Sequence, residues 1–130
     1  MSPESQVRKI FIADPSSSLI DRILQSEFAS NYSWESAQTG PLSLKKIQTF
    51  KPDLALIDLM LPQVHGIEIL KTLRKNPETC SMGIVISSYN EMIQNYHAAI
   101  ECGANYFLTK PFDLSFFLEL RHHPGNLTNR

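Results

Sequence analysis

The sequence predicts an α/β domain in which helices cover both faces of a parallel β-sheet. Short apolar runs alternate along the chain with segments whose apolar residues recur at helical spacing, which is the pattern of successive βα units. The 130 residues, 42% of them hydrophobic, suffice for one ordinary domain with a buried core and leave little for a second. Right-handed crossovers would bring the carboxyl ends of all strands to one edge of a three-layer sandwich.

Five short runs are predicted as strands, and the third is apolar on both faces, as expected for a central parallel strand. The predicted strands are Lys9 to Ala13, a weak one at Ser33 to Ala37, Asp53 to Ile57, about Gly83 to Ile86, and Asn105 to Thr109.

Capping residues and helical spacing predict five helices. They are a first helix capped by the serines at 16–18 with apolar positions as far as Phe28, a second from Gly40-Pro41 to Lys51-Pro52, a third from Gly66 to about Asn76, a fourth from about Asn90 to Cys102, and a short fifth from Leu114 to about Arg121. Gly103 suits the position after the fourth helix. The spacing of Met92, Ile93, Tyr96 and Ile100 predicts that this helix is mostly core.

Charge and hydropathy exclude several classes of protein. The 12 basic and 13 acidic residues leave a net charge of −1, and no basic block is present that would follow a phosphate backbone. We therefore expect no direct binding of nucleic acid. No apolar run approaches the ~20 residues needed to span a bilayer, and the N-terminus lacks a signal-peptide core. We expect a cytoplasmic domain that makes no membrane contact.

Polar residues follow four of the apolar runs, at Asp14, Asp58, Ser87 and Lys110-Pro111. A single Asp after a strand is usually a turn former or a helix cap. Four such positions at the carboxyl edge of one parallel sheet instead favour a chemical site. A carboxylate can attack a phosphoryl group only if charge is neutralised, for which a lysine and a divalent cation are suitable. Hard oxygen ligands suit Mg²⁺.

These residues carry a resemblance to a known family. The motifs are Ile12-Ala13-Asp14, the segment 52–62 that contains Asp58, Ser87-Ser88, Gly103-Ala104, and the segment 107–112 that contains Lys110-Pro111. In this order and spacing they resemble the receiver domain of two-component response regulators. The resemblance implies a flavodoxin-like (βα)5 three-layer sandwich with strand order 2-1-3-4-5. We predict that the domain covers residues 1–123 and that 124–130 form a C-terminal tail.

The resemblance also implies roles for individual residues. They are Asp58 as phosphoacceptor, Lys110 as its charge-neutralising partner, Ser87 as the switch hydroxyl, Phe107 as an aromatic that swings inward with it, Asp14, Asp58 and the backbone carbonyl of Met60 as Mg²⁺ ligands, and Pro111 as the second residue of a cis peptide bond. For Phe107, a plain core phenylalanine in an edge strand is the alternative.

One departure from the family pattern affects the metal site. Receivers usually carry two adjacent acidic residues after the first strand, where this chain has Ala13-Asp14-Pro15. The register of the first helix favours Asp14 as the first acid and Pro15 in place of the second; a shift of one residue would make Ala13 the missing acid. In either register one carboxylate is lost. Mg²⁺ should bind weakly, and phosphorylation should be slow or absent.

Three functions remain open at this point. The first is a phosphorelay receiver, not an enzyme beyond self-phosphorylation and autodephosphorylation, that takes a phosphoryl group from a histidine kinase or a histidine phosphotransfer protein. The second is a degenerate receiver that acts as a phosphorylation-independent interaction module. The third is an aspartyl-nucleophile phosphatase of the haloacid-dehalogenase type, which would need an Asp where Met60 stands. The family also implies an effector domain or partner protein, or a homodimer through the fourth helix, fifth strand and fifth helix.

Overall fold

The computed structural model describes residues 7–27, 29–89 and 92–119. In this part of the chain one five-stranded sheet is formed by β1 (Lys9–Ala13), β2 (Ser33–Ala37), β3 (Leu54–Asp58), β4 (Gly83–Ser88) and β5 (Tyr106–Thr109). All neighbouring strands are parallel, and their order is β2-β1-β3-β4-β5. The predicted fold class and strand order are confirmed.

Within the described residues, five α-helices alternate with the strands, and one 3-10 turn, Ala29–Asn31, precedes β2. The helices are α1 (Ser17–Leu24), α2 (Gly40–Phe50), α3 (Gly66–Lys75), α4 (Ile93–Glu101) and α5 (Leu114–Glu119). None of the described helices is long and apolar enough to cross a membrane.

Local chemistry sets the ends of several helices. The Ser16 side chain accepts a hydrogen bond from the backbone N–H of Leu19 and caps α1. The Nδ1 atom of His65 accepts one from Ile67 N at the start of α3. Lys51 has a left-handed backbone conformation with φ of 52°, which ends α2 after Phe50. The loops that follow β1 and β3 therefore leave the sheet edge in fixed directions.

The alternating side chains of the strands form two hydrophobic cores, one on each face of the sheet. One core lies beneath α2, α3 and α4 and includes Phe11, Ala13, Ala55, Ile57, Ile84 and Ile86 from the strands. The other lies beneath α1 and α5 and includes Ile10, Ile12, Leu54, Leu56 and Val85. The central strand β3 contributes to both cores and is buried along its whole length.

A glycine allows α3 to begin directly against the loop that follows β3. A Cβ atom at Gly66 would lie 2.6 Å from the carbonyl oxygen of Asp58 and 2.8 Å from the Cα of Leu59. Instead, Gly66 N donates a hydrogen bond of 2.8 Å to the carbonyl of Leu59. The first residue of α3 thus supports the backbone that carries Asp58.

Arg74, near the end of α3, holds neighbouring segments in place through its hydrogen bonds. Its Nε donates to the carbonyl of Gly103 at 2.9 Å, its Nη1 donates to the carbonyls of Cys80 and Met82, and its Nη2 donates to Asn105 Oδ1. Burial lowers the pKa of this guanidinium. Gly103 has φ of 110°, as suits the residue after α4. The Arg74 side chain thereby connects α3 with the segment that precedes β4 and with the segment between α4 and β5.

The prediction of a mostly buried fourth helix is wrong at its beginning. Met92 and Ile93 are 55% and 64% exposed, whereas Ala99 is fully buried. Tyr96 and Ile100 are half-buried. Because α4 follows β4, its first turn lies at the carboxyl edge of the sheet, and its contacts with the sheet include the edge strand β5. Helical spacing alone does not reveal how much sheet lies beneath a helix.

Some boundaries also differ from their predicted positions. Helix α1 ends at Leu24, and Phe28 lies outside the described residues. Strand β4 continues to Ser88, so Ser87 lies within the strand and not after it. The predicted domain boundary at residue 123 also lies outside the described residues.

Candidate functional site

Parallel strands bring the predicted site residues to one edge of the sheet. Asp14 follows β1, Asp58 is the last residue of β3, and Lys110 follows β5. Ser87 in β4 lies directly beside Asp58 in the strand register. The strands between them are buried and hydrogen-bonded, so the sheet itself sets the spacing of these side chains.

The Lys110 ammonium group lies between two carboxylates. Its Nζ is 2.5 Å from Asp14 Oδ2 and 2.7 Å from Asp58 Oδ1. All three residues are buried, with at most 8% of each exposed. Burial alone would lower the pKa of Lys110, but the hydrogen bonds and charges of Asp14 and Asp58 outweigh it and raise this pKa. Lys110 is therefore a cation held in place between the side chains of Asp14 and Asp58.

The other oxygen of each carboxylate is held by the backbone. Ser16 N donates to Asp14 Oδ1 at 2.9 Å. Met60 N donates to Asp58 Oδ2, also at 2.9 Å. Each carboxylate is thus oriented by the loop that follows its own strand as well as by Lys110. Met60 itself is 62% exposed.

Ser87, the neighbour of Asp58 in the strand register, is fully buried and carries a hydroxyl group. Its main chain is fixed, since Leu59 N donates to the Ser87 carbonyl at 2.8 Å. The Oγ atom is buried and has no hydrogen-bond partner among the described residues. A buried hydroxyl without a partner costs ~1–3 kcal/mol. The site therefore retains a donor that an added acceptor next to Asp58 could use.

Aromatic rings lie on the β4–β5 side of the site. Phe107 in β5 is half-buried, and its ring contacts that of Tyr96 edge-on with 5.9 Å between centroids. The ring of Tyr89 lies over the Lys110 ammonium group, with 5.3 Å from Nζ to the ring centroid. The Lys110-Pro111 peptide bond is cis, as predicted.

Among the described residues, Asp14 is the acidic side chain that follows β1 at the site. Asp14 is buried, and Pro15 after it is exposed and accepts a hydrogen bond from Gln38 Nε2 through its carbonyl. No group of three or more His, Cys, Asp or Glu residues that could hold a metal is found among residues 7–27, 29–89 and 92–119. Mg²⁺ commonly binds through one or two carboxylates and keeps several waters. Asp14 and Asp58 supply two carboxylates at one edge of the sheet and fit that requirement.

A comparison with known protein families decides the identity of this fold. Residues 10–120 match the family model of the response regulator receiver domain. The chain belongs to this family. Receiver domains are parts of the response regulators of two-component systems and typically bind Mg²⁺ at an acidic pocket.

Individual relatives agree with this assignment. The alkaline phosphatase synthesis transcriptional regulatory protein PhoP of Bacillus subtilis is 32% identical over 105 residues, which cover 81% of this chain and 43% of PhoP. The receiver thus spans less than half the length of this curated relative. A Francisella response regulator receiver domain has a TM-score of 0.80 at 27% identity, covering 91% of this chain and 96% of the other. The chemotaxis response regulator CheY4 of Vibrio cholerae shares the fold, with a TM-score of 0.81 at 22% identity over 92% and 99% of the two chains.

The residue at the site that sequence reasoning missed is Tyr89. Its contact with Lys110 joins the ends of β4 and β5 and leaves no periodic signal in the sequence. The available signal was its position, two residues after Ser87, at the carboxyl edge of the sheet.

Proposed function

We propose that this receiver accepts a phosphoryl group on Asp58 from a histidine kinase or a histidine phosphotransfer protein. The observation that carries the proposal is the Lys110 ammonium 2.7 Å from Asp58 Oδ1 in a buried site. A carboxylate and a phosphoryl group repel each other, and a cation fixed beside the nucleophile offsets this repulsion without solvent reorganisation.

In the reaction, an oxygen of Asp58 attacks the phosphorus atom of the donor. The bond between phosphorus and the donor breaks, and the donor leaves with the bonding electrons. Lys110 neutralises negative charge on the transferred group, and the unpartnered hydroxyl of Ser87 donates a hydrogen bond to one of its oxygens. Asp14 keeps Lys110 in place through its own contact with Nζ.

Asp14, Asp58 and the backbone carbonyl of Met60 would hold Mg²⁺, which supplies further charge neutralisation when bound. With Pro15 in place of an acid, we propose that binding is weak. In this structure Phe107 is half-buried and its ring contacts that of Tyr96. Movement of the Ser87 hydroxyl toward the phosphoryl group would then favour an inward position of the Phe107 ring. This would shift a two-state equilibrium read by an effector domain or partner protein, or by a second copy of the chain at the α4-β5-α5 face.

Phosphorylation of the purified domain tests the proposal. Incubation with acetyl phosphate and Mg²⁺, followed by intact mass measurement, should show one added phosphoryl group. Asp58→Asn should abolish the adduct, whereas Asp21→Asn, an exposed aspartate on α1, should not. An adduct that persists in Asp58→Asn would place the modified residue elsewhere.

The second candidate function is a receiver that binds partners without being phosphorylated. Pro15 favours it, because the site has one carboxylate fewer for Mg²⁺ than the family pattern provides. Absence of any adduct on the unmodified protein, at saturating donor and Mg²⁺, would favour this function. A phosphatase of the aspartyl-nucleophile type is disfavoured by Met60, which stands where such enzymes carry their second Asp.

A further inference from the structure

A cleft of about 480 Å³ lies between α2 and the strands β1 and β2. This volume is within the range of small-molecule sites in proteins. The cleft is separate from the phosphorylation site, since neither Asp58 nor Lys110 lines it. Its lining residues are Lys9, Glu35, Leu42, Lys45, Lys46, Thr49 and Phe50.

The alternation of side chains along the strands explains why the cleft is open. Phe11 of β1 and Ala37 of β2 are buried in the core beneath α2, α3 and α4. Lys9 and Glu35, each two residues earlier in its strand, lie on the same face of the sheet. Both are exposed and charged at positions where apolar side chains would have extended the core. Helix α2 therefore does not close against this part of the sheet.

Two of the lysines that line the cleft have positioned ammonium groups. Lys9 Nζ donates to the carbonyl of Phe50 at 3.1 Å and lies 5.5 Å from the centroid of the Phe50 ring. Lys46 Nζ donates to the carbonyl of Ser36 at 2.9 Å and lies 3.4 Å from Glu35 Oε1. An ammonium group has three N–H donors, so these contacts leave at least one donor on each lysine.

Charge and apolar surface together indicate the class of ligand. Three lysines and one glutamate make the lining positive, although the whole chain has a net charge of −1. Leu42 is 43% exposed, and the half-buried Phe50 adds further apolar surface beside the ammonium groups. The seven lining residues are also far fewer than the roughly 20–30 that each partner contributes to a standard protein interface.

We propose that this cleft binds a small organic anion with an apolar body, such as an aromatic carboxylate. The charged group of the ligand takes the remaining N–H donors of the lysines, and its apolar body lies against Leu42 and Phe50. The ion pair between Glu35 and Lys46 is half exposed and contributes little, so it opens to admit the anion. Binding involves no residue of the phosphorylation site and does not depend on the proposed function.

An NMR titration of the backbone amide signals with 1-naphthoate tests the proposal. The matched probes are 1-naphthamide, which has the same shape without the charge, and acetate, which has the charge without the apolar body. We expect 1-naphthoate to shift the signals of the lining residues and the other two probes to bind several times more weakly. Equal binding of 1-naphthoate and 1-naphthamide overturns the inference, and so does the absence of shifts at the lining residues.

Substitutions at two lining residues should act in opposite directions. Lys45→Gln removes a positive charge and should weaken the binding of 1-naphthoate roughly two- to fivefold, the range of an exposed ion pair. Glu35→Gln removes the carboxylate that competes for Lys46 and should tighten binding by a similar factor, which damage to the fold could not do. Lys71→Gln and Glu68→Gln alter an exposed ion pair on α3 and should leave the affinity unchanged. Weaker binding in Glu35→Gln, or equal changes in the α3 variants, overturns the inference.

A peptide of four glutamates distinguishes a small molecule from an acidic segment of a partner protein. If the peptide shifts the same signals at lower concentrations than 1-naphthoate does, the cleft is a docking site for such a segment and the inference is overturned. Weaker binding of the peptide than of 1-naphthoate supports a small organic anion.

Discussion

The site differs between its β3–β5 side and its β1 side. On the first side Asp58, Ser87 and Lys110 are buried and positioned by paired strands. On the β1 side Asp14 is buried, but the next residue is the exposed Pro15. The comparison shows a buried cation supplied by the chain itself on one side of the site and a single buried carboxylate on the other. Under the proposed function, phosphorylation should depend strongly on Lys110, and Mg²⁺ should bind weakly.

The largest effect is expected from removal of Lys110. Lys110→Ala leaves Asp14 and Asp58 buried together without a counter-ion, so the free energy of unfolding should fall by ~3–5 kcal/mol, and the phosphoryl adduct should be lost. Urea unfolding and intact mass measure the two effects. Lys71→Ala is the matched control, because its ion pair with Glu68 is exposed and should contribute less than ~1 kcal/mol. Equal losses in the two variants would contradict the assigned importance of the buried cation.

Restoring an acid on the β1 side should have the next largest effect. Pro15 is exposed, so Pro15→Asp should fold and should tighten Mg²⁺ binding several-fold in an NMR or calorimetric titration. Ala13 is fully buried in the core beneath α2, α3 and α4. Ala13→Asp should therefore cost ~2 kcal/mol or more of stability. If Ala13→Asp instead folds normally and is the variant that binds Mg²⁺ more tightly, the alternative register of the missing acid is correct.

Two fully buried serines allow a comparison of how a hydroxyl with a hydrogen-bond partner and a hydroxyl without one contribute to stability. Ser43 Oγ donates to the Thr39 carbonyl at 2.7 Å, so Ser43→Ala should lose ~1 kcal/mol of stability. Ser87 Oγ has no partner, and Ser87→Ala should be neutral or slightly stabilising. Chemical denaturation measures both. A loss of stability in Ser87→Ala as large as in Ser43→Ala would mean that the Ser87 hydroxyl is already hydrogen-bonded in the resting protein.

The smallest expected effect is a dependence of stability on alkaline pH. The pKa of Lys110 is raised above its ordinary value of 10.5, so folding favours the protonated form. This contribution to stability is fully present below the ordinary pKa and is lost as the pH rises from there through the raised pKa. Above about pH 10.5, the midpoint temperature of thermal unfolding should therefore fall more steeply with pH in the original protein than in Lys110→Met. An equal dependence of the unfolding temperature on pH in the two proteins would show that folding does not favour the protonated form of Lys110.

The sequence predicted the parts of this structure that depend on strand order. Once Asp14, Asp58 and Lys110 each stand at the carboxyl end of a strand of one parallel sheet, the topology brings them together, and their contact could be predicted without coordinates. The contact between Tyr89 and Lys110 could not, because it depends on the path of the loop between β4 and α4. The exposure of Met92 and Ile93 was missed for a related reason, since helical spacing carries no information on where the sheet ends.

The close packing at Gly66 determines which parts of the site are free to rearrange. The start of α3 lies against the carbonyl of Asp58 so tightly that even a methyl group would not fit, and Gly66 N is bonded to Leu59. The backbone beneath Asp58 is thus a rigid support. Under the proposed function, a phosphoryl group on Asp58 would meet a loop that is packed too closely against α3 to retreat. We therefore expect the rearrangement to occur on the opposite side of the cleft, where the Ser87 hydroxyl has no partner among the described residues and the first turn of α4 is exposed.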